Sequence, residues 1–282
     1  MSWRAVFWVD GKLREVAAAP VDLTDRGLTL GDGLFETVLT RNGRSFLRSA
    51  HLSRLEESAE ALGIFSEPAN AADALDALAA AIGDGVVRLT LTRGGGARGL
   101  ALPETPKPFL FGAAAPNSDA AFFPTLRLAS TAIRRNETSP TSRLKTLAYL
   151  DPILALEDAK KAGADDVLFE NTIGHVACLS VANLFAVFGQ SLVTPPLSDG
   201  VLAGTVRALI LKRASSAGFS PEERSLTRAD LLRADSIFAT NSIRLLAPCV
   251  ALDGRALGAG ESQPVKALQK ILLQAVEEDC GA

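Results

Sequence analysis

The sequence predicts an α/β (α+β) chain of two domains. Three observations carry this prediction. Strand-like apolar runs alternate with stretches of helical apolar spacing along the whole chain. The chain has 282 residues, 48% of them apolar, enough for two cores or one large one. A short, polar, proline-led stretch, Pro116-Asn117-Ser118-Asp119, separates two blocks of patterned sequence. The expected boundaries are a smaller N-terminal α/β domain over 1–115, a linker over 116–122 and a larger C-terminal α/β domain over 123–282.

In the first block, Ala5–Val9 and Leu13–Val16 flank Asp10-Gly11, a hairpin signal. Asp25-Arg26-Gly27 and Gly31-Asp32-Gly33 form a glycine-rich approach to a strand at Leu34–Thr40. Asn42-Gly43 then turns the chain back into Ser45–Leu47. A helix opens at His51, with apolar positions at Leu52, Leu55, Ala59 and Leu62, and ends at Gly63. Ala71–Ile82 reads as a second helix. Val86–Thr92 and Phe109–Ala115 read as strands, joined by a loop that starts at Arg93-Gly94-Gly95-Gly96-Ala97-Arg98-Gly99.

The second block begins with a strand at Leu126–Ile133 and a polar loop over Arg134–Thr141. A helix at Pro152–Ala162 closes on Gly163. Short strands follow at Asp166–Phe169, Val176–Leu179 and Leu184–Phe188. Asp199–Thr205 is a loop leading into a helix over Val206–Ala217. Thr227 with Asp230 has the shape of a capping box at the start of Leu226–Leu232. Ser236–Thr240 reads as a strand, and Val265–Glu277 as a closing helix.

Composition removes several function classes. A net charge of −3 gives no basic stripe, against nucleic acid as a partner. No apolar run is long enough to span a membrane, and the N-terminal apolar run is broken by charges, unlike a signal peptide. Cys178, Cys249 and Cys280 are far apart and odd in number, which points to a reducing, cytoplasmic setting. His51 and His175 have no metal-ligand spacing. A Cys178–His175 nucleophile pair would be poorly aimed on a strand.

The chemistry-bearing stretch is Ser142-Arg143-Leu144-Lys145-Thr146-Leu147. A lysine held against apolar residues is disfavoured in its charged form, so its amine becomes nucleophilic and able to form a Schiff base. The residues alone also fit a surface lysine whose stem lies along apolar neighbours, the commoner use. The GxGxxG-like loop at Gly94–Gly99 runs into Leu100-Ala101-Leu102-Pro103 and not into a helix, against a dinucleotide site. It reads instead as a loop presenting Arg93 or Arg98 to a carboxylate, or as a solvated loop. Gly204-Thr205-Val206 is a loop-to-helix junction whose N–H groups suit a phosphate, as do the donors of Thr240-Asn241-Ser242. Arg54 could add charge there, or make a surface ion pair.

Taken together, these segments resemble the class IV aminotransferase and 4-amino-4-deoxychorismate lyase family. The pieces are Gly31-Asp32-Gly33-Leu34-Phe35-Glu36-Thr37 after Asp25-Arg26-Gly27, His51-Leu52-Ser53-Arg54-Leu55, Lys145-Thr146-Leu147, Ala182-Asn183-Leu184-Phe185, Gly204-Thr205-Val206-Arg207 and Thr240-Asn241-Ser242. The resemblance implies fold type IV, a homodimer, and pyridoxal 5′-phosphate (PLP) bound in a cleft between the two domains. It implies that Lys145 forms the Schiff base and moves protons. It assigns Arg54, Gly204, the backbone of Thr205 and Val206, Asn241 and Ser242 to the phosphate, and places Asn183 among the cofactor residues. Phe35, Arg93 and Arg98 are the expected substrate contacts. One position departs from the family pattern. Cys178 stands where the family usually has a glutamate facing the pyridine nitrogen, and a thiol is a weak partner there. The best-matching activity is elimination of pyruvate from aminodeoxychorismate to give 4-aminobenzoate. The alternatives are transamination of a D-amino acid, a branched-chain amino acid or a primary amine, and a PLP-binding homologue impaired by Cys178.

Overall fold

The structure is a computed structural model that describes residues 5–15, 21–64, 68–258 and 262–281. The chain divides into two compact units: Met1–Asp119 with Lys145–Ala148 and Val276–Ala282, and Ala120–Leu144 with Tyr149–Ala275.

In the first unit the described elements are β1 (Val6–Val9), β2 (Lys12–Arg14), α1 (Arg26–Leu30), β3 (Gly33–Arg41), β4 (Arg44–Ser45), α2 (Arg48–Leu62), α3 (Pro68–Ile82), β5 (Gly85–Thr92) and β6 (Phe109–Pro116). The strands form an antiparallel sheet of order β2-β1-β6-β5-β3-β4. Both expected hairpins form. Asp10 and Gly11 have φ of 51° and 75°, and Asn42 and Gly43 have 51° and 72°, the left-handed pair that a type I′ turn requires. The expected strand to Val16 ends at Arg14, and Val16 lies outside the described residues. Leu47, at φ 52°, ends β4 early and starts α2 three residues before His51. α3 covers β5 and β6, with Ala74, Leu75 and Leu78 fully buried; each leucine contributes about 1.5–3 kcal/mol. β3 is buried on both faces, with Val38 and Leu39 at 0% exposure.

Two distant segments join this sheet's unit. The Phe35 N–H donates to the Lys145 carbonyl at 2.9 Å, and the Leu147 N–H to the Gly33 carbonyl at 3.0 Å. Near the C-terminus, Asn42 Nδ2 donates to the Cys280 carbonyl at 3.0 Å and the Leu47 N–H to the Asp279 carboxylate at 2.8 Å. The boundary expected at 123 places both segments in the second domain. Local periodicity carries no sign of a stretch that returns to an earlier sheet.

The second unit contains β7 (Leu126–Ser130), α4 (Leu150–Lys161), β8 (Asp166–Glu170), β9 (Val176–Leu179), β10 (Asn183–Phe188), β11 (Ser191–Thr194), α5 (Thr205–Arg213), β12 (Ser220–Glu223), α6 (Arg228–Leu231), β13 (Ser236–Asn241), β14 (Leu245–Leu252), β15 (Arg255–Ala256) and most of α7 (Gln263–Cys280). Its curled sheet runs β12-β11-β10-β13-β14-β7-β8-β9, with β15 on β14. Leu126, Leu128, Leu168, Leu184, Ile237 and Leu252 are among the residues of its main core. The Thr227 capping box forms: Thr227 Oγ1 accepts from the Asp230 N–H, and Asp230 Oδ2 accepts from the Thr227 N–H. No strand is expected over Leu245–Leu252, which Pro248 interrupts. It nevertheless lies inside the sheet, between β13 and β7, with a bulge between Cys249 and Ala251. Pro248 sits opposite Phe238 of β13 and one residue before the pairing with β7 starts at Cys249, so its missing N–H is tolerated where that side of the strand is not yet paired.

Candidate active site

In the first unit, β3 carries Phe35 and Glu36, 6% and 2% exposed. α2 brings His51 and Arg54, three residues apart on one helical face, to the same carboxylate. Arg54 Nε donates to Glu36 Oε1 at 2.7 Å and Nη2 to Oε2 at 2.6 Å, while His51 Nδ1 lies 2.7 Å from Oε2. Burial opposes the charge on Glu36, but the hydrogen bonds from His51 and Arg54 and the Arg54 charge overcome it and hold the carboxyl at about 2. Burial pushes the His51 imidazole down despite that carboxylate. The ring is therefore neutral near pH 7, and its Nδ1–H is the donor to Glu36.

Lys145 stands on the Phe35 ring. Its Nζ is 4.2 Å from the ring centroid, and the guanidinium carbon of Arg88 is 3.7 Å from the same centroid. Lys145 is half-buried, and Arg88 is an exposed residue of β5 opposite Thr37. Burial brings the Lys145 amine down to about 8; Glu36 pulls it up, and Arg54 and Arg88 push it down further. At pH 7 about a tenth of such an amine is neutral. This is a nucleophile in reach of physiological pH, where an ordinary surface lysine is not.

Arg93, expected as a substrate contact, is 4% exposed. It donates through Nε to Asp32 at 2.8 Å, through Nη1 to the Gly63 carbonyl at 2.9 Å and through Nη2 to the Leu62 carbonyl at 2.8 Å. That is the geometry of a brace, closing the C-terminal end of α2 onto the loop before β3. Arg26 joins the same carboxylate at 2.8 Å and holds the carbonyls of Gly99, Leu100 and Ala101. Arg98 is exposed on that loop, and no helix follows the Gly94–Gly99 run.

In the second unit, α5 starts at Gly204 with no side-chain cap. Such a start is a seat for an anion. Thr205 Oγ1 lies 3.4 Å from Ser242 Oγ, so two hydroxyls from separate segments meet at this end of α5. Asn183 Nδ2 donates to the Leu202 carbonyl at 2.8 Å, tying β10 to the loop before α5. Val206 is buried in the first turn. Asn241 Oδ1 accepts from the N–H groups of Ile243 and Arg244 at 3.0 and 2.8 Å. It shapes the turn that presents Ser242, and its oxygen is engaged there. The uncapped helix start and paired hydroxyls fit a phosphate group, as the amine of Lys145 fits an aldehyde.

Cys178 is a half-buried residue of β9 that packs with Ala155, Ala159, Val167 and Phe169. Burial raises its thiol pKa, so it stays protonated. His175 is directed to Asp199, with Nδ1 3.4 Å from Oδ1, in agreement with the rejection of a Cys178–His175 nucleophile. Among the described residues no group of three or more His, Cys, Asp and Glu could hold a metal.

Sequence reasoning missed roles for Glu36, His51 and Arg88. The signal for Glu36 was available: a charge inside a strand apolar on both faces needs a partner. Arg88 is the charged residue of β5, at an exposed position that alternation alone reads as ordinary surface.

Comparison with known proteins gives the family and the fold. Residues 33–252 match the family model for amino-transferase class IV. A protein of Methanocaldococcus jannaschii, assigned provisionally as a branched-chain-amino-acid aminotransferase, is 30% identical over 89% of this chain and 88% of its own. A bifunctional aminodeoxychorismate lyase / D-amino acid transaminase of Mycobacterium tuberculosis is 28% identical over 89% of this chain and 92% of its own. The crystal structure of 4-amino-4-deoxychorismate lyase from Pseudomonas aeruginosa superposes with a TM-score of 0.85 at 33% identity, covering 98% of this chain and 100% of that one. The chain belongs to the class IV aminotransferase family, the PLP-dependent enzymes of fold type IV.

Proposed function

We propose that this enzyme cleaves an aminodeoxychorismate-like amino acid, releasing pyruvate and an aromatic amine, through Lys145. The observation that carries the reading is the Phe35 ring shared by two cationic side chains. The amine of Lys145, held at about 8 mainly by burial, and the guanidinium of Arg88 both lie within 4.2 Å of its centroid. PLP, when bound, supplies an aldehyde carbon and a conjugated ring that draws electrons from the substrate's α-carbon. Lys145 Nζ would hold that aldehyde carbon and would take the proton from the carbon that bears the substrate's amine; as the C–O bond to the pyruvyl group breaks and the ring becomes aromatic, the proton passes to the departing enolate to give pyruvate. Arg88 takes the substrate carboxylate, a role its fork geometry suits. The start of α5, with Thr205 and Ser242, takes the phosphate.

The likeness to the Pseudomonas lyase over the full chain favours cleavage. The Mycobacterium relative, named for both a lyase and a D-amino acid transaminase activity, favours transamination as the second reading. Leu23, Leu28, Leu30, Leu100 and Leu102 are 80, 62, 47, 80 and 62% exposed, and Arg26 ties the loop that bears the last two. We assign this apolar surface to a homodimer contact. The three free thiols support a cytoplasmic setting, and no described helix is long and apolar enough to cross a membrane.

The test is to load the protein with PLP, reduce it with borohydride and map the modified residue, then to offer aminodeoxychorismate and a panel of D- and L-amino acids and amines. Pyruvate with 4-aminobenzoate supports cleavage; aminated cofactor without pyruvate supports the second reading. Lys145→Ala is expected to abolish the borohydride-stable adduct. Wild-type protein that takes up no PLP overturns both.

A further inference from the structure

We propose that Asp166 and Arg244 are positioning residues of the phosphate seat: their ion pair fixes the three-residue turn that sets Ser242 beside Thr205 at the start of α5. This deepens the function proposed above and rests on the reading of that helix start as the place of the phosphate.

The turn is short and held in an unusual conformation. Asn241 of β13 pairs with Leu245 of β14, so Ser242, Ile243 and Arg244 alone connect the two strands. A three-residue hairpin loop commonly ends on a residue of left-handed backbone, where glycine is usual. Here that residue is Leu245, with φ 57° and no exposed surface. A side chain is disfavoured in that conformation, which persists only where the surroundings fix it.

Arg244 gathers the contacts that do so. Its N–H donates to Asn241 Oδ1 at 2.8 Å, its carbonyl accepts from the Phe123 N–H at 3.1 Å, and its Nη1 donates to Asp166 Oδ2 at 3.1 Å. The last of these ties the turn to a strand that is not its neighbour, because β7 lies between β14 and β8. Asp166 is the fixed end. It is 1% exposed, and its Oδ1 accepts from the Ser180 N–H at 3.2 Å and from Ser180 Oγ at 2.5 Å. The Arg244 side chain is 33% exposed, so the aspartate is the anchor and the arginine the arm that holds the turn to it.

Ser242 lies two residues before Arg244, and its Oγ is 3.4 Å from Thr205 Oγ1. That spacing depends on where the turn sits against α5. A phosphate at the start of α5 meets both hydroxyls only while the turn is held. A ligand without a phosphate makes no use of Ser242.

A buried aspartate also needs a partner for the sake of the fold alone, and the experiment separates that role from positioning. PLP and pyridoxal share a ring and an aldehyde and differ in the phosphate. The affinity of each is measured by absorbance titration of cofactor-free protein, for wild type and variants. Wild type is expected to prefer PLP. In Arg244→Met that preference is expected to fall about tenfold, the worth of one hydrogen bond to a charged group, with pyridoxal affinity unchanged. Arg244→Lys keeps a charge able to make one contact and is expected to recover most of the preference. Asp166→Asn removes the anion from the other end and is expected to behave as Arg244→Met does. Arg244→Met added to Ser242→Ala is expected to cost little more than Ser242→Ala alone, because the arginine acts through the serine. Parallel losses of PLP and pyridoxal, or an unchanged preference in Arg244→Met or Asp166→Asn, overturn the proposal, as does a fully additive loss in the double variant. Should one of the two single variants not fold, the other decides. Wild type that binds pyridoxal as tightly as PLP overturns the phosphate seat itself, and the positioning role with it, a failure distinct from variants that keep a preference wild type shows.

Discussion

Gly204→Ala tests whether the start of α5 is built to hold a phosphate. Gly204 has φ −71° and ψ 137°, a conformation open to any residue, so its lack of a side chain answers a packing need. An ideal Cβ there overlaps Asn183 Oδ1 and comes within 3.2 Å of Asn183 Cγ and 3.3 Å of Arg207 Cβ. Asn183 must retreat by about 1.4 Å at Oδ1 to reach ordinary contact. It is 6% exposed and held to the Leu202 carbonyl at 2.8 Å, so it cannot retreat without losing that bond, worth about 1 kcal/mol. Overpacking adds about 1–3 kcal/mol. The expected loss is about 2–4 kcal/mol in urea unfolding of PLP-free protein. PLP affinity falls as well, because the N–H groups of Thr205 and Val206 shift with the helix start. Asn183→Ala in the same chain removes the obstructing atoms and is expected to recover part of the affinity, a non-additive result diagnostic of direct contact. Wild-type stability and PLP binding in Gly204→Ala would refute the argument.

Other outcomes follow from the same geometry. Arg93→Met leaves the carbonyls of Leu62 and Gly63 without their donors, while Arg26 stays on Asp32. It is expected to cost about 1–3 kcal/mol of stability in urea, and substrate KM in the protein that remains folded is expected to stay near wild type; a raised KM at unchanged stability would return Arg93 to the substrate site. Acid is expected to destabilise the first unit in two stages. His51 and Glu36 both have lowered folded-state pKa values, so the unfolded chain binds more protons as pH falls. Stability begins to drop near His51's unfolded value of 6.5. It drops again as pH falls from 4.5 toward about 2, the unfolded and folded values of Glu36, a loss of roughly 3 kcal/mol that thermal melts against pH would show and Glu36→Gln would remove. Cys178→Glu is expected to quicken proton abstraction from a bound amino substrate in single-turnover experiments, at a cost in stability from a carboxylate set among Ala155, Ala159 and Phe169. An unchanged rate would reject the assignment of Cys178 to the cofactor ring.

The parts of the fold that sequence announces are those decided by near neighbours. The Asp10-Gly11 and Asn42-Gly43 hairpins, the Gly63 stop of α2 and the Thr227–Asp230 capping box all arise within four residues of chain, and each forms as read. β14 does not announce itself. Pro248 contradicts a strand locally, and only its place opposite Phe238 of β13, one residue before the pairing with β7 begins, accommodates it. The same limit hides the return of Lys145–Ala148 to β3, because nothing in those four residues differs from a loop except the backbone they pair with.

The site divides along the same line. Lys145 and the Gly204–Val206 junction are legible because a motif names them, and at the junction local backbone geometry suffices to offer an anion seat. Arg93 misleads because a glycine-rich loop suggests presentation to a ligand, while the structure turns the side chain inward onto α2 and Asp32. Glu36 is the instructive case. Its neighbours in sequence say only that a charge lies in an apolar strand. What it does depends on Arg54 and His51, eighteen and fifteen residues away, and on a lysine more than a hundred residues further on. A nucleophilic lysine is therefore not a property of Lys145's own surroundings in sequence. It is the resultant of burial, which lowers the amine, one carboxylate that restrains the fall and two arginines that extend it. The motif's separate pieces carry two of the charged groups, Glu36 and Arg54, and Arg88 lies outside them, so changing a residue that no motif names also changes the lysine.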